Sequence, residues 1–168
     1  MNLTPKRVRD SVVETTELVL PGHTNPLGNI FGGRVMELVD VTGGVAAFRH
    51  ARAAVVTASM DELHFREPVR LGDILMLKAS VNFAGRTSME VGVRVEREDP
   101  FTGERLHTAS AYLTFVALGA DGKPCEIPPL IAETDEEQRR MDNARIRRAE
   151  RLRKRDLYRV SPHAPPQR

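Results

Sequence analysis

The sequence predicts an α+β protein in which one long antiparallel sheet wraps around a central helix, with a second helix at the C-terminus. Three observations carry this reading. A strand-like run, SVVETTELVL from Ser11 to Leu20, comes first. A long apolar stretch with few breakers, RVMELVDVTGGVAAFR from Arg34 to about Arg49, follows it. Four more strand-like runs then succeed one another across short turns. A meander of that kind with a single buried helix has one good packing solution, a sheet curled around the helix.

Taken in order, β-branched residues and rough alternation predict a strand over Ser11–Leu20, ended by Pro21-Gly22. HTNPLGNIFGG, from His23 to Gly33, is rich in turn residues. From Arg34 to Arg49 apolar residues fall at Val35, Met36, Leu38, Val39, Val41, Val45, Ala46 and Ala47. They cover more than one face, which predicts a buried helix. Strands are predicted over Ala54–Phe65, Asp73–Ala84, Thr87–Glu98 and Arg105–Leu118. Their boundaries are set by Glu67-Pro68, Leu71-Gly72, Gly85-Arg86 and the Pro100–Gly103 turn. Gly119–Leu130 reads as an exit loop. Thr134-Asp135-Glu136-Glu137 is a capping-box pattern that opens the last helix, whose apolar stripe (Met141, Ala144, Ala149, Leu152) is thin. SPHAPPQR at the end is expected to be disordered. The division expected is an N-terminal arm (1–10), one sheet-and-helix domain (11–130) and a basic C-terminal helix with a disordered tail (131–168).

The 168 residues suit one domain, and 40% hydrophobic with 29% charged residues is ordinary for a soluble globular chain. The net charge of +2 is unevenly spread. From Arg139 to Arg155 nine basic residues face two acidic ones, so the basic character belongs to the extension. Without interleaved aromatics it does not read as a nucleic-acid surface. One cysteine, Cys125, excludes an internal disulfide and has no nucleophile signature. The first ten residues show no signal peptide, and no apolar run is long enough to span a membrane. A cytoplasmic protein is expected. The five histidines have no metal-ligand spacing, and no G-x-S-x-G or Walker A pattern occurs, so no metal and no cofactor are expected.

The sharpest candidate is Asp40, mid-helix among Leu38, Val39, Val41 and Val45. A carboxylate there needs a partner or a task; a structural hydrogen bond and catalysis are about equally good readings of that feature alone. Gly32-Gly33 heads the helix. The pair allows close approach to free N–H groups, as an oxyanion site requires, or simply a tight turn. Asp40 follows Gly33 by two helical turns, on roughly the same face. Gly43-Gly44, inside the helix, reads as a packing feature. Asn25 and Gly85-Arg86-Thr87-Ser88 read first as turns, although the latter could also hold a phosphate or a pantetheine amide.

These pieces occur in one order: Asn25-Pro26-Leu27-Gly28-Asn29-Ile30-Phe31-Gly32-Gly33, Asp40, His50, Val56-Thr57-Ala58, Phe65-Arg66-Glu67-Pro68-Val69, Gly72-Asp73, and Gly85-Arg86-Thr87-Ser88-Met89. That series, from about Val12 to Val116, resembles the hotdog-fold acyl-CoA thioesterases, the group of cytosolic acyl-CoA hydrolases and their single-domain bacterial relatives. The resemblance implies hydrolysis of acyl-CoA to a fatty acid and coenzyme A, with coenzyme A part of substrate and product and not a cofactor. It implies a homo-oligomer, a dimer of hotdogs as minimum and usually a trimer of dimers, with sites at the dimer interface. Asp40 resembles the catalytic carboxylate and Asn25 the catalytic amide, contributed by opposite subunits. Gly33, next to Gly32, matches the oxyanion N–H. Thr57 matches a threonine near the site, and Arg86, Thr87 and Ser88 a segment bordering coenzyme A. His23, Leu38 and Val39 depart from the usual residues at positions that bear on acyl-chain preference. A hydratase of the same fold would carry histidine where this chain has Val45. A non-catalytic acyl-CoA sensor is the alternative from a different class.

Overall fold

The computed structural model of the chain describes residues 3–61 and 63–159. The residues expected to form a disordered end, from Ser161, lie outside that range.

Two sheets form. A short parallel pair joins β1 (Lys6–Arg7) to β7 (Leu130–Ile131). The main sheet has five strands, β2 (Val13–Leu18), β3 (Ala54–Met60), β4 (Ile74–Ala84), β5 (Ser88–Glu98) and β6 (Arg105–Leu118). Their spatial order is β2-β4-β5-β6-β3, every pair antiparallel. The helix α1 (Gly32–Ala51) lies in its curve, and α2 (Asp135–Arg159) follows β7. The expected sheet, central helix and C-terminal helix are all present.

Alternation assigns the faces. Leu75, Leu77, Ala79 and Val81 of β4, Val91, Val93 and Val95 of β5, and Ala109, Ala111, Leu113 and Phe115 of β6 are buried in the core with Val35, Val39, Ala46 and Ala47 of α1. This period-two pattern fixes the register, because a one-residue slip would turn each apolar set outward. Gly43 is a point of close approach between helix and sheet. A Cβ added there would lie 3.4 Å from both Phe115 and Val93, so the glycine serves packing.

Three expectations need correction. The first strand is shorter than Ser11–Leu20: Val8–Ser11 and Pro21–His23 are 3₁₀ turns flanking β2. The next strand ends at Met60, not Phe65. A register shift between Thr57 and Ser59 bends β3, and the described residues beyond it run as irregular chain. Lastly, α1 is not buried all round. Its far face leaves Met36, Val41, Val45 and Phe48 exposed, so one face serves the core and the other is bare within the single chain.

Polar interactions fasten the ends to the body. Lys6 Nζ donates to the carbonyls of Arg49 and His50 at the close of α1. Arg52 ends the helix in the left-handed region, φ 52°. The capping box opens α2 as expected: Glu137 N–H donates to Thr134 Oγ1, and Thr134 N–H to Glu137 Oε2. Met141 and Ala144 are buried under α2, on the outer face of the sheet.

Candidate active site

Asp40 projects from α1 one residue past Val39, which is fully buried. That step of about 100° around the helix carries Asp40 from the core toward the bare face. It is therefore half-buried instead of enclosed, and it has a partner. Thr57 on β3 donates its hydroxyl to Asp40 Oδ1 at 2.7 Å. The carboxylate is held by one oxygen, leaving Oδ2 without a hydrogen-bond donor among the described residues. A carboxylate oriented by a hydroxyl yet open to solvent can accept a proton from water or attack a carbonyl.

The helix start lies two turns away on roughly the same face. Phe31 is the N-cap, without a side-chain cap, and its carbonyl receives the N–H groups of Arg34 and Val35. Gly32 and Gly33 N–H have no backbone acceptor in the described residues. Free donors at a helix N-terminus favour negative charge. Phe65 crosses this end, and a Cβ on Gly32 would lie 3.5 Å from its ring. Phe65 belongs to the ordered motif series, but no local pattern assigns it to this helix end; its position depends on the irregular chain after β3.

Asn25 sits in the loop before α1. Its Oδ1 accepts N–H donors from Leu27 and Asn29 at 2.9 and 3.2 Å, an Asx turn that uses the carbonyl and leaves the NH₂ group unbonded. No hydrogen bond joins Asn25 to Asp40 among the described residues. Nearby, Arg34 bridges Glu17 at 2.7 Å and Glu37 at 2.8 Å, which ties α1 to β2.

Arg86, Thr87 and Ser88 form the β4–β5 turn and the start of β5. Ser88 pairs with Val116 of β6, which pairs with Val56, so the segment lies two strands from Thr57, roughly 10 Å. Backbone bonds hold it: Gly85 N–H to the Ser88 carbonyl, Ala117 N–H to that of Thr87, Ile127 N–H to that of Arg86. The Arg86 side chain is 80% exposed and only 3.8 Å from Glu126 at its nearest, so it is free to meet an anion.

The bare face of α1 continues onto β3, where Val56 is exposed, and β3 is an edge strand. Exposed apolar groups beside an unpaired strand edge are an interaction surface. Among the described residues no group of three or more His, Cys, Asp or Glu could hold a metal, and no helix is long and apolar enough to cross a membrane.

Comparison with known proteins agrees with this geometry. Residues 27–103 match the thioesterase superfamily. An uncharacterized acyl-CoA thioester hydrolase of Bacillus subtilis is 42% identical over 129 residues, 77% of this chain and 75% of that one. The chain belongs to the acyl-CoA thioester hydrolases. Longer mouse and rat members of this family are matched over 24% and 39% of their length. An apo-hexameric acyl-CoA thioesterase superposes with TM-score 0.89 at 41% identity, over 92% of this chain and 99% of that one. The Staphylococcus aureus acyl-CoA hydrolase, solved with butyryl coenzyme A, coenzyme A and coenzyme A disulfide, gives 0.83 at 36%, over 92% and 97%. Variants of that hydrolase with an aspartate, an asparagine or a threonine changed to alanine superpose as well. The family's hotdog fold is the fold described above.

Proposed function

We propose that this protein hydrolyses the thioester of fatty acyl-CoA, with Asp40 as the reacting carboxylate and Asn25 supplied by a second copy of the chain. The observation that carries it is the Thr57–Asp40 hydrogen bond beside the open N-terminus of α1. The thioester carbonyl lies at the Gly33 N–H, with Gly32 beside it, where developing negative charge is stabilised. Asp40 either takes a proton from the attacking water or attacks the carbonyl itself, giving a mixed anhydride that water then hydrolyses to the fatty acid and the free carboxylate. The C–S bond breaks and coenzyme A leaves as the thiolate, to be protonated by solvent. Asn25, its NH₂ group unbonded, orients the water or the carbonyl. Arg86, Thr87 and Ser88 border the coenzyme A moiety. The three positions altered in the Staphylococcus aureus variants are spaced along their chain as Asn25, Asp40 and Thr57 are here, which supports this assignment.

The bare α1 face and the free β3 edge support a dimer, and the hexameric relative supports a trimer of dimers. Residues 11–130 form the catalytic unit and 131–168 the extension, after the short arm 1–10. We place the protein in the cytoplasm.

A thiol-release assay over short-, medium- and long-chain acyl-CoA tests the reading. Turnover on at least one length class is expected. A sensor would instead release no thiol while acyl-CoA still raised its melting temperature.

A further inference from the structure

A cavity lies on the outer side of the sheet, and Asp40 is not among the residues that line it. It measures about 360 Å³ and runs between the outer faces of β4, β5 and β6 and the first half of α2. That is the lower end of the size range for small-molecule sites. Its floor contains Ser80 and Asn82, whose residues are 8% and 5% exposed. Among the described residues neither side chain has a hydrogen-bond partner. Neither polar group is sealed from solvent, so both are available to hydrogen-bond a ligand that enters the cleft. The floor is also shaped to hold the amide. A Cβ on Gly92 would lie 2.5 Å from Asn82 Nδ2, so a larger residue there would push the amide from its present position.

The walls are cationic. Lys78, Arg94, Arg139, Arg140 and Arg147 line the cleft against Glu14 and Glu136. Arg147 is engaged by Glu90 and stacks on Tyr112, its guanidinium 3.6 Å from the ring centre. Arg94 and Lys78 share Glu96, at 2.6 and 3.7 Å. Arg139 and Arg140 converge on one exposed carboxylate, Glu136, and hold it down at a pKa of about 2. These two arginines could exchange that surface contact for a ligand oxyanion at little cost.

We propose that this cleft is a second, non-catalytic binding site for a small organic anion that carries a hydroxyl and a phosphate or carboxylate group. Arg139 and Arg140 take the oxyanion, while Asn82 and Ser80 take the hydroxyl on the floor.

Isothermal titration of the full-length oligomer with glycerol 3-phosphate and with citrate distinguishes the phosphate from the carboxylate source. Saturable binding of at least one of them, one per chain, is expected. Asn82→Leu and Arg140→Gln should each weaken it by about tenfold, the worth of one charge-assisted hydrogen bond. Arg140 is half-exposed and among the described residues its ion pair is with Glu136, so Arg140→Gln decides the matter if Asn82→Leu fails to fold. Asp40→Asn should bind as the unaltered protein does, which separates this site from the thioesterase site. Absence of saturable binding to both anions, unchanged affinity in Arg140→Gln, or loss of binding in Asp40→Asn would each overturn the proposal.

Discussion

At the scale of the residue, the Asp40–Thr57 pair makes a graded prediction. Thr57→Ala leaves the carboxylate in place and removes only the hydroxyl that aims it. Turnover should fall by about tenfold, one net hydrogen bond's worth, with little change in melting temperature. His50 makes a different one. It is fully buried and its Nε2 lies 2.8 Å from the Pro128 carbonyl, which can only accept, so Nε2 carries the hydrogen. Nδ1 is buried without a partner. Burial pushes the imidazole below its usual 6.5, against the opposing pull of the Pro128 carbonyl. The unfolded chain therefore takes up this proton at a higher pH than the folded one does. The stability contribution is full above about pH 6.5 and declines as pH falls below it, until the folded pKa is reached. Urea midpoints between pH 5 and 7.5 should show this slope, and His50→Gln should remove its share of it.

At the scale of the element, α2 is fastened by charge. Glu90 of β5 is 1% exposed and meets Arg147 at 2.6 Å and Arg151 at 3.1 Å, while Arg151 also reaches Asp61 at 2.7 Å. Removing one partner of a buried ion pair strands the others, so Glu90→Gln should cost about 3 kcal/mol in chemical denaturation. Because Asp61 immediately follows β3, the same substitution should also loosen hydrogen-exchange protection there. This cluster was not legible in the sequence. Glu90 looks like any outward residue of an alternating strand, and its partners stand 57 and 61 positions later. The elements themselves were legible, because period two and the glycine-headed apolar stretch are local. The end of β3 was not, since it depends on a bend in the strand and not on the Glu67-Pro68 breaker.

At the scale of the whole molecule, the open question in the sequence was what the apolar residues of α1 face. Val41, Val45 and Phe48 look the same in the sequence whether they face this chain's core or another copy, and only the packed sheet shows that the core uses Val35, Val39, Ala46 and Ala47. That is why Asp40 was expected in the interior and lies instead at the margin of an apolar face. It is also why half the site was visible: one chain orders Asp40 with Thr57, and the proposed function assigns Asn25 to a different copy. Aspartate at Val45 or Val41 should therefore shift the oligomer toward smaller species in analytical ultracentrifugation without unfolding the chain.

A shared site makes complementation the most direct test. Asp40→Asn and Asn25→Ala are prepared separately, then unfolded and refolded together in equal amounts. Each alone should lose about 10²- to 10⁴-fold in thiol release while keeping its oligomeric size. The mixture should recover about a quarter of the unaltered rate, because half the dimers are mixed and each has one intact site. Near-normal thiol release by Asp40→Asn alone, or a mixture as inactive as its components, would contradict the account.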